Sequence, residues 1–262
     1  VAAALLLKLT VKEPPRAATQ AKAPTFGETV RAIAGKASFW HVAMGGALIS
    51  FVGYGSSQFL VSHMVRNYDL GATLAEEVAN ASYAFGLIAG VSTGLGTFLG
   101  GYLADRLAGR HKHVLSWLPA LGLAFAIPLY AQTHFVWAFA FLLLAPITHY
   151  LYLGPMYAVT QGVATPRTRA TATAFLLLIV NLIGYGLGPP FVGLANDWIA
   201  SSILADGGLT LAQCAAPENA AACASAQATG LRYALVALLA FLVWAAVHFL
   251  LVGRTLVKDR AS

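Results

Sequence analysis

The residues best suited to chemistry in this chain sit inside apolar surroundings. His149 lies near the middle of the apolar run 134–161, where an ionisable group is costly and is a functional candidate by default. Its helical face includes Ala145, Tyr152 and Met156. An imidazole titrates near neutrality, so it can serve either to move a proton or, as a neutral ring, to bond a neighbouring helix. Phe51, Tyr54 and Gln58 share a face at i, i+3 and i+7, and Asn181 and Tyr185 share one at i and i+4. At mid-depth in a bilayer, amides and phenols can bind a polar head group while aromatics touch an apolar tail. They can equally fasten helices together, at about 0.6 kcal/mol per bond. His41, His63 and His248 fall nearer the ends of apolar runs, where an interfacial position is expected, as it is for Trp40, Trp117, Trp137, Trp198 and Trp244.

Two further groupings carry charge or sulfur. The segment GGYLADRLAGRHKH (100–113) places Asp105 and Arg106 at the end of an apolar run, followed by Arg110, His111, Lys112 and His113. A carboxylate there can bond Arg106, Arg110 or a neighbouring helix N-terminus, and such a cluster can lock two helices on one side of a membrane. Cys214 and Cys223 are the two cysteines of the chain, and they share one polar loop. A disulfide closing that loop is expected, two unpaired thiols being the alternative. No phosphate-cradling GxxxxGK and no HExxH occurs, and nothing in the sequence supports catalysis, a cofactor or a metal.

The elements that hold these residues are set by composition. Apolar residues make up 58% of the 262 positions and charged residues 10%, against roughly 25% charged in a soluble domain. About 20 apolar residues are needed to cross the hydrocarbon. Six runs qualify, at 38–64, 81–104, 113–131, 134–161, 169–199 and 229–253, so the expected fold is an all-α integral membrane bundle of six transmembrane helices. Residues 1–9 read as the end of a preceding helix, 10–37 as a connector and 254–262 as a tail. Within the connector, Thr25 and Glu28 form a capping box, and Phe26, Val30 and Ile33 fall on one face, which predicts a short helix on the membrane surface.

The net charge of +6 would point to nucleic acid in a soluble protein, but its placement points to orientation instead. With the connector inside, Lys8, Lys12, Arg16, Lys22, Arg31, Lys36, Arg106, Arg110, Lys112, Arg167, Arg169, Arg254, Lys258 and Arg260 all lie on the cytoplasmic side. Arg66 and Arg232 remain outside. The inside-positive bias thus puts the connector and the C-terminus in the cytoplasm, and an even number of spans requires the same. The cysteine loop then falls on the oxidising side.

An internal match supports an inverted arrangement. At an offset of 92, GLGTFLGGYLADR (94–106) and GLGPPFVGLANDW (186–198) share Gly94/Gly186, Leu95/Leu187, Gly96/Gly188, Gly101/Gly193 and Asp105/Asp197. One segment ends the second span and the other the fifth, and those spans cross in opposite directions. That is the pattern of two inverted three-helix repeats.

The 100–113 segment resembles the loop signature of the major facilitator superfamily, a Gly-x-Leu-Ala-Asp-Arg run followed by Gly-Arg. Here Leu107 and Ala108 separate Arg106 from Gly109, where the family usually has one residue. On that resemblance, Gly101, Asp105, Arg106 and Arg110 form a cytoplasmic gate motif. PRTRATATAFLLLIVNLIGYGLGPPFVGLANDWI (166–199), with KEPPR (12–16) and SFWHVAMGGALISFVGYG (38–55), further resembles the C-terminal half of the spinster branch. The resemblance implies half of a twelve-helix fold around a central cavity, partnered by a missing N-terminal six-helix bundle and set in a bacterial inner membrane. It implies a carrier of amphiphiles such as lysolipids or sphingoid phosphates, with protons as a candidate coupling ion and no nucleic-acid partner. A carrier of sugars, drugs or organic anions is the alternative within the class. A self-sufficient six-helix channel or assembly subunit is the alternative outside it.

Overall fold

A computed structural model describes residues 5–6, 9–11, 24–107 and 135–259 of the chain. The expected third span, Arg110 and residues 12–23 of the connector lie outside these residues.

Helix α1, Phe26–Ala34, starts where the capping box predicts. The Thr25 backbone N–H donates to Glu28 Oε2 at 2.7 Å, and the Glu28 N–H donates to Thr25 Oγ1 at 3.3 Å. Hydrogen bonds from the Thr25 backbone and then its hydroxyl hold the Glu28 carboxyl below the ordinary carboxylate range. Ile33 and Thr29 are buried, so the helix docks on the bundle through one face. Its Phe26 ring meets Phe175 edge-on at 6.1 Å, and Phe175 stacks on Phe39 at 5.9 Å.

Five of the six expected spans fall within the described residues. They form α2 (Ala37–Asn67), α3 (Leu74–Leu107), the pair α4 (Phe135–Tyr150) and α5 (Leu153–Val163), α6 (Arg169–Asp206), and the pair α7 (Ala220–Leu238) and α8 (Ala240–Asp259). Among the described residues, four stretches are long and apolar enough to cross a membrane: Leu74–Arg106, Leu142–Val163, Arg169–Asp206 and Pro217–Asp259. Helix α2 is not among them, and its place explains why. It packs against α6 and α8 more extensively than against any other element, so it touches other helices rather than lipid. The small or polar Gly45, Gly46, Ser50, Gly53, Gly55, Ser56 and Ser57 let those neighbours approach.

Helix ends run past the apolar runs. At 38 residues, α6 measures about 57 Å, well beyond a hydrocarbon layer of about 30 Å. Likewise the last helix begins at Ala220 rather than near 229, and it continues to Asp259 through what reads as a tail in sequence. Hydropathy marks the part of a helix that meets lipid, whereas Ala-rich flanks remain helical in water. The fourth span, by contrast, is interrupted at Leu151 and Tyr152. Pro155 offers no N–H to the Leu151 carbonyl, and Pro146 inside α4 offers none to that of Leu142. A hydroxyl from the neighbouring helix reaches this disturbed stretch, since Ser92 Oγ donates to the Leu143 carbonyl at 2.7 Å.

The buried residues of α6 recur every four positions, from Ala172, Leu176, Val180, Gly184, Gly188 and Val192 to Asn196, Ala200 and Leu204. This ridge crosses α2 near its centre and α7 further out. At Gly188 the fit is absolute, because a Cβ there would lie 2.5 Å from the Phe51 carbonyl oxygen. Its mate in the internal match behaves alike. A Cβ on Gly96 of α3 would lie 2.5 Å from the Ile147 carbonyl oxygen of α4, whereas Gly94 and Gly186 both face open space. The paired α3–α4 and α2–α6 crossings are the geometric form of the inverted repeat.

Beyond the C-terminal end of α6, 3-10 turns at Leu211–Ala215 and Pro217–Asn219 lead into α7, and Cys214 and Cys223 are joined as a disulfide. The loop is narrower than 200–228, since α6 and α7 take up both of its flanks.

Candidate functional site

On one side of the α2–α6 crossing three of the candidate residues come together. The Tyr54 hydroxyl donates to Asn181 Oδ1 at 3.3 Å, and the Tyr54 and Tyr185 rings meet edge-to-face at 5.3 Å. Asn181 Nδ2 donates to the Leu177 carbonyl at 2.8 Å, which fixes the orientation of the amide. Gln58, Asn181 and Tyr185 are exposed, Tyr185 by 58%. The patch presents phenol and amide groups beside the exposed Leu178 and Leu182 and carries no formal charge. It can offer hydrogen bonds to a neutral or zwitterionic group and apolar contact to a hydrocarbon.

Phe51 does not join this face despite its spacing. It is buried against Phe241 at 4.7 Å and Phe191 at 5.4 Å, because α8 and α6 both close over that side of α2. Tyr152 is buried as well, with its hydroxyl 3.1 Å from Ser50 Oγ. It sits at the break between α4 and α5 and ties that break to the centre of α2.

His149 occupies a separate place. It lines a cavity of about 160 Å³ together with Gly53, Ser56, Ser57, Thr93 and Tyr150, the remaining walls being apolar side chains of α2, α3, α4 and α8. Its ring depends on Gly53, where a Cβ would lie 2.8 Å from Nε2. The Tyr150 and Tyr152 rings stand edge-on to it at 5.3 and 6.0 Å.

At the C-terminal end of α3, Asp105 and Arg106 are exposed. Arg106 turns back on its own helix, donating to the Tyr102 hydroxyl with its guanidinium carbon 5.7 Å from that ring's centre. Gly101 lies against Gly154 of α5, whose Cβ would come within 3.1 Å of it.

Several contacts had no signal in the sequence. Asp259 is buried, and its Oδ2 accepts the Ser38 backbone N–H at 2.7 Å while Ser38 Oγ meets Thr255 Oγ1 at 2.7 Å. A carboxylate from α8 thereby caps α2, whose own N-cap residue Lys36 supplies no side-chain bond. His41 and His248 are not independent interfacial groups: their Nδ1 atoms lie 3.1 Å apart across α2 and α8. His63 is 2% exposed, a core rather than an interfacial position. Each of these pairs is separated by more than 200 residues or buried by a helix far along the chain, so local spacing carries no trace of them.

Comparisons with known proteins agree with this geometry. The chain is similar to the crystal structure of a bacterial homolog to the human lysosomal transporter Spinster in its inward-facing, unoccupied conformation. Identity is 36% and the TM-score 0.79, over 99% of this chain and 57% of that one. The occupied form of that homolog gives 35% identity and a TM-score of 0.76, over 99% and 56%. An MFS-type efflux pump of Mycolicibacterium smegmatis is 31% identical over 177 residues, 64% of this chain and 38% of the pump. The chain thus spans little more than half the length of the Spinster homolog, and its match covers 38% of the pump. The profile of the Major Facilitator Superfamily matches residues 1–189, so this chain belongs to that superfamily, and its long apolar helices make it an integral membrane protein.

Proposed function

We propose that this chain is the C-terminal bundle of a secondary active transporter that works by alternating access and moves an amphiphilic, lipid-like solute such as a lysophospholipid or sphingoid phosphate. The observation that carries the reading is the uncharged patch of Tyr54, Gln58, Asn181 and Tyr185, exposed where a second bundle would close a central cavity. Small-residue crossings support it, because a bundle held by close backbone packing can rock as one body. The connector and C-terminus lie in the cytoplasm of a bacterial inner membrane, and Gly101, Asp105, Arg106 and Arg110 help close that side. No cofactor and no catalysis enter this reading.

The test is uptake by the full-length carrier in vesicles. A labelled lysophospholipid should accumulate and should be competed by other lysolipids more strongly than by a sugar or an organic anion. The opposite order would remove the substrate class. Coupling to protons through His149 is read in the same vesicles by imposing a pH gradient, and equal rates with and without it would remove that step. Asp105→Ala should impair uptake more than expression, and normal uptake would dismiss the gate role. The similarity to an efflux pump supports a second reading in which the cargo is a drug-like amphiphile; preferential competition by such compounds would establish it.

A further inference from the structure

Of the two basic residues that stand against the inside-positive bias, Arg66 lies in the last turn of α2 and Arg232 within α7, where it meets the end of α2. Arg232 Nη2 donates to Asn67 Oδ1 at 3.2 Å. Asn67 is then fully engaged, since its Nδ2 donates to the His63 carbonyl at 2.9 Å and lies 3.3 Å from His63 Nδ1. Arg66 Nη1 reaches the Gln227 carbonyl at 3.5 Å beside an open cleft that both residues line.

What is missing is an anion. Arg232 is half-buried, its Nε is shielded from solvent, and among the described residues that Nε has no hydrogen-bond partner and no carboxylate pairs with the guanidinium. A guanidinium carries five N–H donors in a planar fork suited to a phosphate, and one neutral amide oxygen uses only part of it. Burying a charge without a counter-charge is costly, and topology disfavours this one further. The level matters too. Arg232 and Asn67 lie at the outer limit of the apolar runs, where phosphate groups of the outer leaflet reside.

We propose that a phosphate group binds between α2 and α7 beside the Asn67–Arg232 contact, held by the Arg232 guanidinium with Arg66 next to it on α2. An amphiphile in the outer leaflet presents such a group at the right depth, and free phosphate offers the same chemistry. The assignment of a phosphate rests on the local geometry, while its role in loading or releasing a substrate rests on the carrier reading above.

The test uses the full-length carrier in maltoside micelles, which contain no phosphate. Affinities are measured for lysophosphatidic acid, for monoacylglycerol of the same chain length and for inorganic phosphate. Arg232→Gln should weaken lysophosphatidic acid by about tenfold or more, the scale of charge-assisted hydrogen bonds, and leave monoacylglycerol unchanged. Arg66→Gln should have a smaller effect in the same direction. Asn67→Asp, which supplies an internal carboxylate at nearly constant volume, should mimic Arg232→Gln and decides the matter should that variant fail to fold. Competition by millimolar phosphate would identify the free ion as the ligand, and its absence would identify the lipid head group; either supports the site. Parental affinity for lysophosphatidic acid in folded Asn67→Asp or Arg232→Gln would overturn it. Failure of the parent to transport lysolipid, with Arg232-dependent binding intact, would count against the carrier reading alone.

Discussion

The α2–α6 crossing and the α3–α4 crossing share a skeleton and differ in what they carry. In each, a glycine of the internal match lies against a backbone carbonyl of the partner, Gly188 on Phe51 and Gly96 on Ile147. Around α2–α6 the flanking residues are Tyr54, Asn181 and Tyr185, which present polar groups on an exposed face. Around α3–α4 the fourth span is broken by Pro146 and Pro155 and a cavity with His149 lies beside it. The backbone contact is therefore the part that duplication must preserve, because neither carbonyl can retreat without bending a helix. The side chains one turn away are free to diverge, and on the proposed reading they divide the work between solute contact and proton movement.

The comparison breaks most sharply at the glycines. Gly188→Val and Gly96→Val should each destabilise by about 1–3 kcal/mol or more, read as thermal unfolding in micelles, since the new carbon must displace backbone. Gly186→Val and Gly94→Val should be near neutral, because both positions are open. Tolerance of Val at one member of the buried pair alone would separate the two crossings. Next in size, His149→Gln should lower uptake on the order of tenfold and remove its response to an imposed pH gradient. An unchanged response with a lowered unfolding temperature would make His149 a fastener of helices.

Tyr54→Phe should reduce uptake with a loss of stability of about 0.6 kcal/mol or less, the scale of one interhelical bond. A stability loss without an uptake change would turn the exposed patch into mere packing. The smallest effect belongs to α1. The Glu28 carboxyl is held below its ordinary range by Thr25, so its contribution is present above the unfolded carboxylate range and is lost as pH falls through the lowered folded value. Acidification should therefore undock α1, followed by a fluorophore on the connector, and Glu28→Gln should remove most of that pH dependence.

Much of the skeleton was legible along the chain. Apolar runs located the helices because lipid demands them, and the Thr25 and Glu28 pair located α1 because capping is local. The polar residues of the candidate site were legible only in part. The i, i+3, i+7 spacing of Phe51, Tyr54 and Gln58 defines a face, but it does not say that α8 and α6 cover one edge of it. Phe51 is buried for that reason while Gln58 is exposed. Nor could spacing pair His41 with His248, or Asp259 with Ser38, since those contacts join residues more than 200 positions apart.

By itself the sequence determined that the chain is a membrane-embedded helical bundle, that its basic residues are placed unevenly between its loops, and that a glycine pattern recurs at an offset of 92. Those properties follow from the energetics of lipid, the asymmetry of charge and local periodicity, each of which acts on stretches of a few dozen residues. Only the tertiary structure decided which polar groups face a partner helix and which remain exposed, that α2 can be the least apolar span because protein surrounds it, and that Arg232 meets Asn67 with no carboxylate beside it among the described residues. Those outcomes depend on which distant helix arrives at each face, and backbone packing, not local pattern, decides that.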